Sequence, residues 1–321
     1  MRVAGKIKVK IEKIFNETHG IKRFRLVPTD QTLLPAFTGG SHIETTIKKG
    51  ETSYVRSYSL TSSPTNRSFY EIAIQRDPQS RGGSVFWHEQ AEIGQTISIS
   101  FPRNHFPLSS RGRHHAFYAA GIGITPFLTM IRDLPKEDTF ELHYASKTKQ
   151  SCAFYDYLQE HYPDQTTFYF SRVQNPQRMV PDTMATHRVG THVYFCGPAN
   201  MVDEFRNAAK SIGYPDCAIH FELFGNNNDN LPKNPFIVEL TESEQILEVS
   251  GKETLLETLL KAGIDAPHSC RIGGCGSCEI DVIDGEVDHR DVFLSEENKK
   301  TRKTILTCCS RAKSEKLTLK L

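Results

Sequence analysis

No apolar run in this 321-residue chain approaches the roughly 18 residues that a membrane span needs. Neither sign of charge is in excess: 39 Lys and Arg face 38 Asp and Glu, for a formal net charge of +1. That balance gives no electrostatic reason to expect a nucleic acid or an anionic membrane as partner. Internal repeats and low-complexity tracts are absent, which excludes solenoids and long disordered tails. The opening MRVAGKIKVKIEKIF alternates apolar and basic residues like a strand. It has neither the apolar core nor the cleavage site of a secretory signal, so the cytoplasm is the expected compartment. Cysteine is not scarce, but it is not spread as a disulfide scaffold would spread it: five of the eight cysteines fall in the last 52 residues. Such clustering without an export signal points to a metal centre.

Size and patterning suggest two or three domains. Residues 1–109 read as β-rich: KIKVKIEKI, SHIETTIKK, FYEIAIQRD and TISIS alternate or are β-branched between Gly, Pro and Ser clusters, as in a barrel or sandwich. Over 110–225 the rhythm becomes strand–helix, from HHAFYAA through GIGITP to FLTMIRDL, then FELHYAS, CAFYDYLQEHY, TFYFSR, THVYFCGP and NMVDEFRNAAKSIG. Alternation of that kind predicts a doubly wound parallel sheet. The polar, Asn- and Pro-rich stretch 226–235 reads as a linker. The last section, 236–321, opens with the strands FIVEL and QILEV. Thr254 and Glu257 then form a capping box for the helix LLETLLKAG, which Gly263 can close.

The cysteine loop follows. Cys270, Cys275 and Cys278 stand in CRIGGCGSC, and a fourth sulfur must come from Cys308-Cys309 in ILTCCS. Adjacent strand residues point to opposite faces, so only one of the pair can join. With Cys308 the spacing is C-x4-C-x2-C-x29-C, that of plant-type [2Fe–2S] ferredoxins; the LTC context resembles the same pattern, leaving Cys309 as a packing residue. Gly273, Gly274 and Gly276 allow a tight loop whose N–H groups point at sulfur. A structural zinc site is the competing reading, but zinc knuckles pair their cysteines, whereas here a triple stands with one remote partner. Cys152 and Cys217 read as ordinary buried thiols.

In AAGIGITP, Gly121 and Gly123 permit close approach of a pyrophosphate, Thr125 can cap the helix and Pro126 suits its first turn. A plain strand-to-helix turn is the alternative, because the third glycine of the usual fingerprint is missing. Cys196-Gly197-Pro198 offers a second loop at a strand's carboxyl end, and two such loops form a binding crevice. In YVRSYSLTS, Arg56 and Tyr58 share a strand face beside Ser59, suiting a ligand with a flat ring and a phosphate. Arg81, Gly82, Gly83 and Ser84 form a candidate anion nest at a helix start. Read alone, each stretch is more often a solvated strand or turn. The thirteen histidines show no ligand spacing; His114, His115, His143, His192 and His220 read as packing or edge residues, and Trp87 as core.

As a set, RSYSL, SRGGS, GIGITP, CGP, HFELF and CRIGGCGSC…LTC, in that order, resemble the phthalate dioxygenase reductase-like family. The resemblance covers essentially the whole chain. It implies an antiparallel flavin-binding β-barrel, a doubly wound α/β nucleotide-binding domain and a C-terminal plant-type ferredoxin (β-grasp) domain. The implied cofactors are FMN, a [2Fe–2S] cluster and NADH or NADPH. Arg56, Tyr58 and Ser59 would hold the isoalloxazine and phosphate, and Gly82, Gly83 and Ser84 the phosphate. Phe224 would cover the flavin, with Glu222 beside the nicotinamide approach and Cys196 in the same pocket. Ser171 and Arg172, followed by Arg178, stand where an acidic residue would select NADH, and they leave NADPH open. The implied activity is a monomeric NAD(P)H-dependent reductase feeding a Rieske-type oxygenase, with DGEVDHRDVFLSEEN as part of a docking face or as a solvated loop. Alternatives are a reductase for a diiron or haem oxygenase, or a non-enzymatic electron carrier or zinc-stabilised binding module.

Overall fold

The computed structural model describes residues 6–30, 32–49, 52–78, 82–225 and 234–321. The chain divides into two compact units, 1–222 and 223–321.

The first unit begins with strands β1 (Ile7–Thr18), β2 (Ile21–Pro28), β3 (His42–Lys49), β4 (Thr52–Ser59) and β5 (Tyr70–Gln75). Helix α1 (Gly83–Glu89) and strand β6 (Thr96–Ile99) follow. They form one six-stranded sheet in the order β4-β3-β6-β1-β2-β5, with antiparallel pairing throughout β1–β2, β2–β5, β3–β4 and β1–β6. A bridge between Leu60, just past β4, and Ile72 of β5 brings the sheet's two edges together, so the barrel closes. Alternation explains the interior: Val9, Ile11, Phe24, Leu26, Ile43, Ile47, Ile72 and Ile74 turn inward with Trp87 of α1.

Five strands come next: β7 (His114–Ala120), β8 (Thr139–Ser146), β9 (Thr166–Phe170), β10 (Thr191–Gly197) and β11 (Ile219–Leu223), the first four pairing in parallel, with helices α2 (Thr125–Asp133), α3 (Tyr155–His161) and α4 (Ala199–Ile212). Their order, β11-β10-β7-β8-β9, reverses direction between β7 and β10. That reversal is the topological switch point where ligands of open α/β sheets bind. Helix α3 is shorter than CAFYDYLQEHY suggests, because Phe154 adopts a left-handed conformation (φ 59°) and the helix starts only after it. Hydrogen bonds to α2 tie barrel to sheet: Gly40 N–H donates to Thr129 Oγ1 at 3.0 Å, Gly39 N–H donates to Asp133 Oδ2 at 2.7 Å, and Arg132 donates to Thr61 O at 2.5 Å.

The second unit holds β12 (Phe236–Leu240), β13 (Gln245–Val249), helix α5 (Leu255–Lys261), β14 (Glu279–Asp284), β15 (Val287–Asp288), helix α6 (Glu296–Thr301), β16 (Thr304–Leu306), β17 (Arg311–Ala312) and β18 (Lys316–Leu319). A five-stranded sheet runs β13-β12-β18-β14-β16, with β12 and β18 parallel at its centre. Leu255, Leu256 and Leu259 of α5 pack on Val238, Leu240, Ile280 and Leu317 of the sheet. The capping box forms as the sequence predicts: Glu257 N–H donates to Thr254 Oγ1 at 3.1 Å, and Thr254 N–H donates to Glu257 Oε2 at 2.9 Å. Gly263, at φ 82°, follows the last turn. Of the expected linker, 226–233 lie outside the described residues.

Candidate functional site

In the barrel, Arg56 and Tyr58 lie on the same face of β4 by the two-residue period, and Ser59 ends the strand, buried. A Cβ at Gly83 would sit 2.8 Å from Arg56 Cγ and 3.1 Å from its Nε. The glycine turn therefore lies directly against the arginine, which joins the two phosphate signals that the sequence kept apart. Gly82 caps α1 at φ 115°, a conformation natural to glycine. Ser84 Oγ accepts from Asp77 N–H at 3.1 Å, so its hydroxyl proton remains able to donate elsewhere. Arg81 lies outside the described residues. The Tyr58 ring meets Trp87 edge-on at 6.1 Å, and burial pushes its hydroxyl above the usual phenol range despite the nearby Arg56 charge. Trp87 is fully buried, as expected of core. Cys152 is buried as expected, but Cys217 is exposed, because it falls on the short 3-10 turn Asp216–Ala218 ahead of β11.

At the switch point, Gly121-Ile122-Gly123-Ile124 forms a 3-10 turn between β7 and α2. Gly121 holds φ 56° and faces open space, with only Gln75 Oε1 4.0 Å from where its Cβ would be. Gly123 does something different from what its motif suggests. A Cβ there would lie 2.5 Å from the Cys196 carbonyl carbon and 2.8 Å from Gly197 N, so its bareness lets the two strand-end loops touch. Thr125 does not cap α2: the cap position belongs to Ile124, and Thr125 Oγ1 donates to Ile122 O at 2.9 Å within the first turn. Pro126 stands in that first turn. The Cys196 side chain is fully buried in the sheet's core and lines no open surface. Burial, reinforced by the charge of Glu222, pushes its thiol well above the usual range and keeps it neutral. Cys196 and Glu222 thus come together, while Gly197 and Pro198 lead into α4. Ser171 and Arg172 are exposed just past β9; their N–H groups donate to Ser146 O at 3.1 Å and Lys147 O at 2.7 Å, which leaves both side chains to solvent. Phe224 is 40% exposed.

In the second unit the four cysteines converge. Cys270 stands against Cys275, and Cys278 against Cys308. Backbone N–H groups of Ile272 and Gly274 face Cys270, those of Cys270 and Ser277 face Cys275, and Gly273 N–H donates to Cys308 Sγ at 3.2 Å. Such a nest stabilises negative sulfur. Hydrogen bonding to Cys275, then burial, raises the Cys270 thiol above its ordinary range, while the same contact lowers Cys275. Four crowded sulfurs competing for protons are the donor set that an iron–sulfur cluster satisfies with iron. Gly273 (φ 77°) and Gly276 (φ 74°) are required: a Cβ would sit 2.5 Å from Cys309 Sγ at the first and 2.5 Å from Phe293 Cε1 at the second. Gly274 faces open space and is not forced by geometry. Cys308 and Cys309 stand on the turn after β16 rather than on a strand, so strand alternation is not what separates them. Cys308 is turned to the nest by its bond from Gly273, and Cys309 packs behind that glycine.

One grouping escaped the sequence. Glu141, His143 and His187 bring their ligand atoms within 4.8 Å of one another. Glu141 and His143 share a face of β8 two residues apart, a legible signal; His187 arrives from the β9–β10 connection, which no spacing reveals.

A flavin-type barrel followed by a nucleotide switch point and a four-thiol nest defines a class, the iron–sulfur flavoprotein oxidoreductases. Residues 238–313 match the 2Fe-2S iron-sulfur cluster binding domain family and residues 7–107 the oxidoreductase FAD-binding domain family. Residues 97–219 match the N-terminal domain of dimethylamine monooxygenase subunit DmmA-like proteins. The chain is 37% identical over 98% of both chains to the carnitine monooxygenase reductase subunit of Escherichia coli, and 36% identical over 98% of both to the vanillate O-demethylase oxidoreductase of Acinetobacter baylyi. It is 36% identical, over 94% of its length and 95% of the relative's, to the heme-dependent oxidative N-demethylase beta subunit of Ectopseudomonas mendocina. A solved phthalate dioxygenase reductase superposes with a TM-score of 0.82 at 32% identity, covering 99% of this chain and 98% of that one. The chain belongs to the phthalate dioxygenase reductase-like family. It is an oxidoreductase of the reductase-component type, with FMN, a [2Fe–2S] cluster and a pyridine nucleotide as its cofactors. Among the described residues no helix is long and apolar enough to cross a membrane.

Proposed function

We propose that the chain is a monomeric, cytoplasmic NAD(P)H-dependent reductase whose acceptor is a Rieske-type oxygenase acting on aromatic rings or demethylating its substrate. The domains run 1–109 for the flavin barrel, 110–225 for the nucleotide domain and 236–321 for the ferredoxin domain, joined by 226–235. When bound, FMN takes up the electron pair of a hydride and releases electrons singly, and the cluster carries one at a time.

The residues' own work is positioning. The Arg56 guanidinium and the Ser59 and Ser84 hydroxyls hold the flavin phosphate and ring edge, with Gly82 and Gly83 letting the phosphate approach the backbone and Arg81 adding charge. Tyr58, kept neutral, offers an uncharged hydroxyl beside the ring. Gly121, Gly123, Thr125 and Pro126 shape the pyrophosphate turn with Gly197 and Pro198. Ser171 and Arg172 meet the adenosine 2′ position, where a guanidinium accepts a 2′-phosphate and a serine suits a hydroxyl. Cys196 supports the nicotinamide pocket from within the core, Glu222 stands at its approach, and the role of Phe224 as flavin cover rests on the resemblance. Cys270, Cys275, Cys278 and Cys308 ligate iron.

The observation that carries the reading is the donor nest around the four sulfurs, which suits thiolates on a cluster and has no purpose around ordinary thiols. The carnitine monooxygenase and vanillate O-demethylase relatives favour a Rieske-type acceptor; the heme-dependent N-demethylase relative supports a haem acceptor as the second reading. Reducing the holoprotein anaerobically with NADH or NADPH and mixing it with oxygenases encoded beside its gene tests both. Rapid oxidation by a Rieske protein supports the first, and oxidation by a haem protein alone replaces it with the second.

A further inference from the structure

On the α4 side of the parallel sheet, away from the switch point, lies a cluster that the electron-transfer function does not use. Glu141 Oε1 is 2.6 Å from His187 Nδ1, and Glu141 Oε2 is 3.7 Å from His143 Nε2. The two imidazoles are 10% and 5% exposed at His143 and His187, and Glu141 is 33% exposed, which leaves one side of the group reachable. His143 Nε2 is buried and has no hydrogen-bond partner among the described residues. Glu141 Oε1 also lies 3.4 Å from His114 Nε2.

The surrounding hydrogen bonds fix the orientation of both rings. Thr183 Oγ1 donates to Val180 O at 3.0 Å, so it must accept from the Tyr118 hydroxyl at 3.1 Å. Tyr118 oxygen then accepts from His187 Nε2–H at 2.8 Å, which turns His187 Nδ1 toward a carboxylate oxygen at 2.6 Å. A contact that short needs a positive charge between the two atoms, a proton or a metal ion. His143 has the same design: Nδ1 engages Tyr169 OH at 2.8 Å while Nε2 looks into the cluster, and the His143 ring stacks on Tyr118 at 4.6 Å. Metal-bound histidines are held this way, by a partner on the second ring nitrogen.

We propose that Glu141, His143 and His187 form a divalent metal site suited to Zn2+. Two imidazoles and one carboxylate are a zinc donor set that keeps its fourth position for water, whereas Mg2+ and Ca2+ prefer all-oxygen ligands. Tetrahedral bonds of about 2.1 Å place ligand atoms about 3.4 Å apart, a value between the 2.6 and 3.7 Å found here. Glu141 pairs with Ala116, four residues before β7 ends. Glu141 is therefore about 13 Å along the strands from the end of β7, beyond which the glycine turn starts. The metal clips β8 to the long connection between β9 and β10, which otherwise has only the 3-10 turn Pro181–Thr186 as regular structure.

The test uses holoprotein carrying flavin and cluster. It is equilibrated with excess ZnCl2, desalted, and analysed for zinc and iron by atomic emission, beside H187N and the double variant H143Q/H187Q. Wild type should retain about one zinc per chain beyond the double variant, at equal iron and flavin content, and zinc should raise its melting temperature relative to a chelator. H187N should bind zinc at least about tenfold more weakly. If the double variant does not fold, as judged by flavin and iron content, H187N and E141Q decide by the same readout. Equal zinc in wild type and variants, or no retained zinc, overturns the proposal in favour of a proton shared between Glu141 and His187.

Discussion

Gly123→Ala and Gly121→Ala, two residues apart in the same turn, should fail in different ways. At Gly123 a methyl would stand 2.5 Å from the Cys196 carbonyl carbon and 2.8 Å from Gly197 N, against 3.4 Å for ordinary contact. All the atoms it meets are backbone, so the turn after β7 must move about 1 Å from the end of β10, and both are core strands. That is overpacking without a flexible neighbour to absorb it, and the upper end of its range applies, about 3 kcal/mol. At Gly121 the methyl meets nothing closer than Gln75 Oε1 at 4.0 Å, and only the left-handed backbone at φ 56° resists it, at about 1 kcal/mol. If the pyrophosphate crosses Gly121, that methyl occupies its path. Denaturant unfolding of the holoproteins, followed by circular dichroism, gives the stabilities, and initial rates of artificial-acceptor reduction give KM for NADH and NADPH. G123A should lose about 3 kcal/mol. G121A should lose about 1 kcal/mol while its coenzyme KM rises at least about fivefold at little change in kcat. A G123A protein within about 0.5 kcal/mol of wild type would refute the packing argument, and an unchanged KM in G121A would remove the turn from the nucleotide path.

Three further outcomes follow from the same geometry. His42 and His220 are pushed down to about 4, in both cases first by burial, with His105 and Arg103 adding to it for His42 and His192 and His115 for His220. Folding therefore favours their neutral forms: this contribution is complete above pH 6.5 and is lost as pH falls from 6.5 to about 4, by at most about 3 kcal/mol per histidine. H42Q should flatten part of that slope in urea titrations between those pH values. Gly276→Ala drives a methyl into the Phe293 ring, which is 44% exposed, so G276A should lower cluster retention and F293A should restore it. Gly83→Ala presses on the Arg56 side chain alone and should weaken FMN retention several-fold, read by fluorescence of released flavin, at a stability cost within about 1 kcal/mol.

The sequence was most legible where chemistry fixes residue type at short range. The cysteine spacing, the capping box at Thr254 and Glu257, and the glycine turns could all be placed because each needs particular residues a few positions apart. Strand β1 announced itself by alternation; β2, with the charges of IKRFRLVP on its wet side, did not. The end of the cysteine argument was illegible for a geometric reason, since Cys308 and Cys309 fall on a turn whose course depends on Gly273 across the loop. Gly123 looked like a phosphate glycine because both uses demand a missing Cβ, and only the packed neighbour Cys196 distinguishes them. The Glu141 cluster needs a residue 46 positions further on, and contacts between distant segments leave no trace in local spacing.

The central claim is that Cys270, Cys275, Cys278 and Cys308, and not Cys309, hold a one-electron centre in the same chain as a two-electron flavin. Its most direct measurement is low-temperature paramagnetic resonance of anaerobically reduced holoprotein, with iron and flavin assayed on the same sample. The account predicts a rhombic signal of about one spin per chain, lost in C308S and retained in C309S. A signal that survives C308S, or vanishes in C309S, contradicts it.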